Sequence, residues 1–151
     1  MSITCCYIKE QYFKDHSSFV KMLDPGNTAK QSHRSYLCLK ITNDGNDYYL
    51  PLRNNLGADV RPYGRIGHSV PSASRSDAGL DYRYALIVND SKYIEIPTTQ
   101  KIPNRQWNKI TADYNNIISE FTVYLSGFKR ALKKNRINRE ALYRESVSYT
   151  H

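Results

Sequence analysis

No stretch of the sequence stays apolar for the ~18 residues that a membrane span needs, and the opening MSITCCYIKEQYF lacks the basic-then-apolar order of a secretion signal. A cytoplasmic location with no membrane partner is expected. Cysteine is scarce: adjacent Cys5 and Cys6 with the distant Cys38 make no full disulfide set and match no metal-ligand spacing, so reduced thiols are expected. The chain has no GxxxxGK, no GxGxxG after a strand, no HExxH and no CxxC. Nucleotide hydrolysis, dinucleotide binding and zinc chemistry therefore lack sequence support, and no cofactor is expected. Acids are sparse where a site would be sought, since Asp59, Asp77 and Asp81 stand apart among arginines, whereas a two-metal nuclease needs converging carboxylates. No metal is expected either.

What is present is positive charge. Lysine and arginine number 22 against 14 acids, a net +8, and such an excess favours partners built of phosphate, because neutralising phosphates releases condensed counterions. Nucleic acid heads the list. The 40% hydrophobic content is that of a globular chain, and 151 residues suit one domain, so a single domain over 1–151 is expected.

Periodicity outlines the elements. ITCCYI reads as a short strand; Tyr12, Phe13, His16, Phe19, Val20 and Leu23 then recur at helical spacing up to the stop DPGN at 24–27. SYLCLKI from Ser35, the turn NDG at 43–45 and DYYLPL form the clearest hairpin. Residues 53–81 hold four of the seven glycines and two prolines with no sustained period, and read as a long irregular loop, a kind that is usually functional or disordered. YRYALIVNDSKYIEI contains two apolar strands around the turn signal Asn89-Asp90 and reads as a β pair. From an N-cap at Asn104, the series Ile110, Tyr114, Ile117, Ile118, Phe121, Leu125, Phe128 and Leu132 predicts a long helix with one apolar stripe. It ends in Lys129, Arg130, Lys133, Lys134, Arg136 and Arg139, more cations than the helix dipole requires. The fold class is α+β: a twisted, mostly antiparallel sheet flanked by an N-terminal helix and a long C-terminal helix.

The loop supplies Arg53, Asn54, Arg61, Tyr63, Arg65, His68, Ser69, Ser72, Ser74 and Arg75. Cutting RNA without metal needs a proton acceptor for the 2′-hydroxyl, donors for the developing phosphorane charge and an acid for the leaving 5′-oxygen. Histidine suits proton transfer near neutral pH, and arginine grips phosphate with two parallel donors. Each residue also has a plainer reading. His68 could be a surface histidine, the arginines a solvated face that binds RNA without chemistry, and VPSASRS a connector; His16 and Trp107 read as packing residues. Of the 13 tyrosines, Tyr12, Tyr36 and Tyr63 lie near basic loops or strand ends and are candidates for stacking on bases.

The segment SYLCLKITNDGNDYYLPLRNN resembles the strand-turn-strand of the ToxN/AbiQ group of type III toxin-antitoxin endoribonucleases, with Arg34 before the apolar strand, Tyr48 in the return strand and the dipeptide Pro51-Leu52. The order of elements is similar along nearly the whole chain. Members carry a Thr-Ser-Pro-Lys type sequence after Pro-Leu, whereas this chain has Arg53-Asn54-Asn55, closer to the TenpN branch. Asparagine accepts no proton, so the serine role does not transfer to Asn54. The resemblance implies an endoribonuclease toxin that cleaves cellular or phage mRNA. It further implies inhibition by a repeated pseudoknot antitoxin RNA in a cyclic or higher-order assembly. In that scheme Arg34, Arg53, Asn54, His68 and Ser69 lie at the catalytic centre. Tyr12, Tyr36, Arg61, Tyr63, Arg65, Ser74, Arg75 and Lys129, Arg130, Lys133, Lys134, Arg136 contact RNA. A non-catalytic basic RNA-binding module is the rival reading.

Overall fold

The computed structural model describes residues 3, 5–15, 34–41, 46–56, 66–99 and 101–133. Strand β1 (Cys5–Ile8) leads into a short helix, α1 (Glu10–Asp15). The expected hairpin forms the centre of the sheet: β2 (Ser35–Ile41) and β3 (Asn46–Arg53) pair antiparallel, with Tyr36 opposite Pro51 and Cys38 opposite Tyr49. Six further segments follow: β4 (Gly67–Ser69), β5 (Gly79–Asp81), β6 (Leu86–Ile87), β7 (Ile94–Glu95), and helices α2 (Asn104–Ala112) and α3 (Tyr114–Lys133), with a 3-10 turn at Tyr82–Tyr84 directly after β5. The described strands make one antiparallel seven-stranded sheet in the order β4-β5-β3-β2-β1-β7, with β6 also on β3.

Alternation along the strands buries both faces of this sheet. Cys5, Leu37, Tyr48, Leu50 and Leu80 face the long helix and pack on its Ile117, Phe121, Leu125 and Phe128. Cys6, Tyr36, Tyr49 and Leu86 take the other face, with Tyr12 and Phe13 of α1. The long-helix stripe is thus core, as its spacing predicts, and Trp107 packs at its edge. The three cysteines are free, and burial pushes the Cys5 and Cys6 thiols up to about 12, which keeps them protonated at neutral pH.

Three local expectations are corrected. Residues 67–81, expected as irregular loop, hold the β4-β5 hairpin, with His68 opposite Leu80. Two glycines permit it. A Cβ on Gly79 would sit 2.5 Å from a methyl of Leu56, and one on Gly67 would sit 2.8 Å from the Leu80 carbonyl, so Leu56 can fold back over bare backbone. The two strands around Asn89-Asp90 do not pair with each other: β6 joins β3, β7 joins β1, and residues 91–93 form a 3-10 turn capped by Asp90. Nor is Asn104 an N-cap; it is the first helical residue after Pro103, and the helix is interrupted at Asp113. The helical pattern beyond Asp15, the DPGN stop, His16, the NDG turn, Arg139 and the Leu132 side chain lie outside the described residues.

Candidate functional site

Strand direction gathers chemistry at one end of the sheet. β3 ends at Arg53, and the antiparallel register sets Arg53 opposite Gly79, which in turn lies opposite Ser69. Arg34 lies in the bend just before β2, at the end of the sheet where β3 finishes. Asn54 follows in an exposed bend, and the 70–78 connection, with exposed Ser74 and Arg75, leaves from the same end. That connection is ordered by Ser72, whose Oγ accepts from the Arg75 N–H at 3.0 Å while its own N–H donates to the Arg75 carbonyl.

At this end a wholly buried carboxylate, Asp81, organises two guanidiniums. Arg53 Nη1 donates to Asp81 Oδ2 at 2.8 Å, Arg83 Nη2 to the same oxygen at 3.0 Å, and Arg83 Nε and N–H to Oδ1, each at 3.1 Å. Both cations stack on Tyr84, their Cζ atoms 5.3 and 5.7 Å from the ring centroid. Burial works against the Arg83 charge, but the Asp81 carboxylate more than offsets it, so the guanidinium is held above its ordinary range. Arg83 also caps the Leu56 carbonyl at 3.3 Å and is nearly buried, whereas the Arg53 side chain keeps 27% of its surface exposed. Among the described residues, Asp81 is the sole hydrogen-bond acceptor of Arg53. The rest of its donor fork is available to an anion.

His68 lies elsewhere. Its register partner is Leu80, which turns it toward the helix-covered face while Arg53 and Asp81 occupy the opposite face. Its Nδ1 is 2.9 Å from Glu120 Oε1 and its Nε2 is 2.9 Å from Asp113 Oδ2. Each ring nitrogen thus faces one carboxylate oxygen. Tyr82 donates to the same Glu120 oxygen at 2.8 Å, and burial followed by that bond raises its hydroxyl above the usual phenol range. Lys109 reaches Asp113 at 2.5 Å and, with His68, holds that carboxyl below its usual range. The interruption between α2 and α3 falls on Asp113, where φ −98° and ψ 8° leave the helix and release the side chain to the strand.

Two expected base-stacking tyrosines are corrected. Tyr12 is 3% exposed and packed 5.4 Å edge-on against Phe13 and Tyr93, and Tyr36 is 2% exposed, so neither ring has a face for a base. Lys129 and Arg130 sit on the last turns of α3, roughly 15 Å along its axis from Glu120. Arg61, Tyr63, Arg65, Lys134, Arg136 and the Lys133 side chain lie outside the described residues. No group of three or more His, Cys, Asp or Glu side chains able to hold a metal occurs among the described residues, and no helix there is long and apolar enough to cross a membrane.

No family profile and no curated protein sequence matches the chain. Solved structures do. One is AbiQ, a lactococcal anti-phage endoribonuclease belonging to the type III toxin-antitoxin system, which matches 98% of this chain and 92% of its own with a TM-score of 0.66 at 14% identity. The chain has the AbiQ fold. A structure from a bacterial antiviral system regulated by a processed non-coding RNA matches 96% of this chain and 91% of its own, with a TM-score of 0.63 at 12% identity. At such identities the likeness to AbiQ is one of fold.

Reading the sequence alone misses Asp81, Arg83, Asp113 and Glu120. A signal existed for the last two: they are seven residues apart and so share the buried side of the helix, where acids stand out. Asp81 and Arg83 carried none, because their meaning depends on β5 lying beside β3.

Proposed function

We propose that the chain is a metal-independent endoribonuclease toxin of a type III toxin-antitoxin system, acting on cellular or phage mRNA in the cytoplasm and inhibited by a repeated pseudoknot antitoxin RNA in a cyclic or higher-order assembly. The observation that carries this reading is the arginine-bearing end of the sheet in a chain that has the AbiQ fold along nearly its full length: Arg53, partly exposed and braced on Asp81 and Tyr84, with Arg34 in the bend that precedes the neighbouring strand β2. The net charge of +8 accords with an RNA partner. A fold hosts many functions, so the weight rests on the site chemistry.

In the proposed reaction the 2′-oxygen attacks phosphorus in line, a new P–O2′ bond forms and the P–O5′ bond breaks. The 2′-hydroxyl proton goes to a base, an acid protonates the departing 5′-oxygen, and a 2′,3′-cyclic phosphate remains. Arg53 and Arg34 neutralise the charge that builds on the non-bridging oxygens. Ser69 shares the Arg53 face two strands away, about 10 Å off, within reach of the same RNA strand. His68, the proton carrier expected from sequence, is engaged through both ring nitrogens; its contacts suit it to clasping β4 to the helices.

The purified protein is expected to cut total RNA in excess EDTA and to leave ends that react as cyclic phosphates. Intact RNA in EDTA with cutting restored by magnesium would refute the metal-free chemistry. Growth arrest with fragmented mRNA on induced expression separates a nuclease from the rival RNA-binding module, which would leave RNA whole.

A further inference from the structure

We propose that Asp81 is the positioning residue of the arginine site, setting the plane in which the Arg53 guanidinium meets a phosphate; this rests on the RNA-cutting reading above. Arginine recognises phosphate through a planar fork, so its usefulness depends on which edge is presented and how firmly. Arg53 stands at the end of a strand, where a long side chain would ordinarily sample many rotamers. Here one Nη is tied to Asp81 at 2.8 Å and the Cζ atom lies over the Tyr84 ring, 5.3 Å from its centroid, two contacts that restrict which edge the group presents.

Asp81 is itself immobile. Its backbone is paired with Gly67, its neighbour Tyr82 donates its N–H to the Ile66 carbonyl at 3.0 Å and its hydroxyl to Glu120 at 2.8 Å, and its carboxylate is clamped by three further donors from Arg83. Arg83 therefore carries the charge balance of the buried carboxylate and leaves Arg53 with only one donor committed. If Asp81 existed only to neutralise Arg83, the three hydrogen bonds between them would suffice without Arg53. The second cation drawn to the same oxygen is the partly exposed one at the strand end, which is the arrangement of a support behind a working side chain.

The test combines catalysis with a structural readout. Asp81→Asn keeps the shape but removes the charge, and is expected to lower kcat by up to about 100-fold with KM changed by no more than about threefold. In an Arg53→Gln background the same substitution should add less than about twofold, because the group it positions is gone. Losses that multiply would overturn the proposal, as a merely structural role predicts. Nitrogen NMR of the arginine side chains in the unmodified chain should show slow rotation of the Arg53 guanidinium, and free rotation there would also overturn it, even where Asp81→Asn fails to fold. The parallel titration uses a mixed-sequence 2′-O-methyl RNA oligonucleotide, whose attacking oxygen is blocked. If the parent protein binds that probe but leaves unmodified RNA intact, the nuclease reading fails while the same non-additivity, read in Kd, still supports the role of Asp81.

Discussion

Two ionic clusters occupy opposite faces of one short strand pair, and they use charge in opposite ways. On one face a single buried carboxylate, Asp81, serves two arginines. On the other a single histidine serves two carboxylates, Asp113 and Glu120. The first cluster ends with cationic donors in excess at the sheet margin; the second sets its ring between two acids and leaves neither ring nitrogen uncommitted. An excess of donors suits a phosphate, and a saturated histidine suits a joint between strand and helix. Residue type alone would rank them the other way, since histidine is the more common proton carrier.

The strongest way to break this contrast is to remove the hub of the arginine cluster. Asp81→Ala leaves a buried guanidinium without its counter-charge and is expected to cost about 3–5 kcal/mol in urea unfolding; a loss under about 1 kcal/mol would show that Asp81 holds nothing. Arg53→Gln should leave stability within about 1 kcal/mol. Its RNA-cutting rate should fall by about 10²–10³-fold, the effect of losing one donor to a developing oxyanion. The reverse pattern is expected across the sheet: His68→Ala should destabilise by about 1–3 kcal/mol through its two hydrogen bonds to carboxylates, with cutting reduced less than tenfold. A loss of about 10²–10⁴-fold there, typical of a missing general acid or base, would restore His68 to the catalytic centre.

The smallest effect sharpens the joint itself. Asp113 is held below the usual carboxylate range by Lys109 and then His68, so its contribution is present above the unfolded value of ~3.9 and is lost as pH falls through the folded value. Asp113→Asn should be less stable at neutral pH by under about 1 kcal/mol, given the exposure of the group. The difference between the two chains should close below pH ~4 in urea midpoints. A difference that persists there would mean that the carboxylate charge is not what joins α2 to β4.

Much of the frame was legible in the residues. SYLCLKI and DYYLPL alternate, so β2 and β3 could be read as strands, and Ile110 to Phe128 trace a helical stripe that is buried as expected. The β4-β5 hairpin was not legible: each strand has three residues, and Gly67 and Gly79 look like loop signals until Leu56 packs over them. Partner choice was equally hidden. YALIVNDSKYIEI has the look of a hairpin, yet Asn89 bridges instead to the start of β3, accepting from the Asp47 N–H at 2.9 Å and donating to Asn46 at 2.8 Å.

From the sequence alone one could derive the α+β class, the two strands of the central hairpin, the long amphipathic helix and the net charge of +8, because each depends on periods and sums carried by neighbouring residues. Only the tertiary structure decided which face each loop residue took. β5 ends with Asp81 directed to the arginines, the 3-10 turn that follows begins with Tyr82 directed to Glu120, and no local pattern announces that division before the strands are paired.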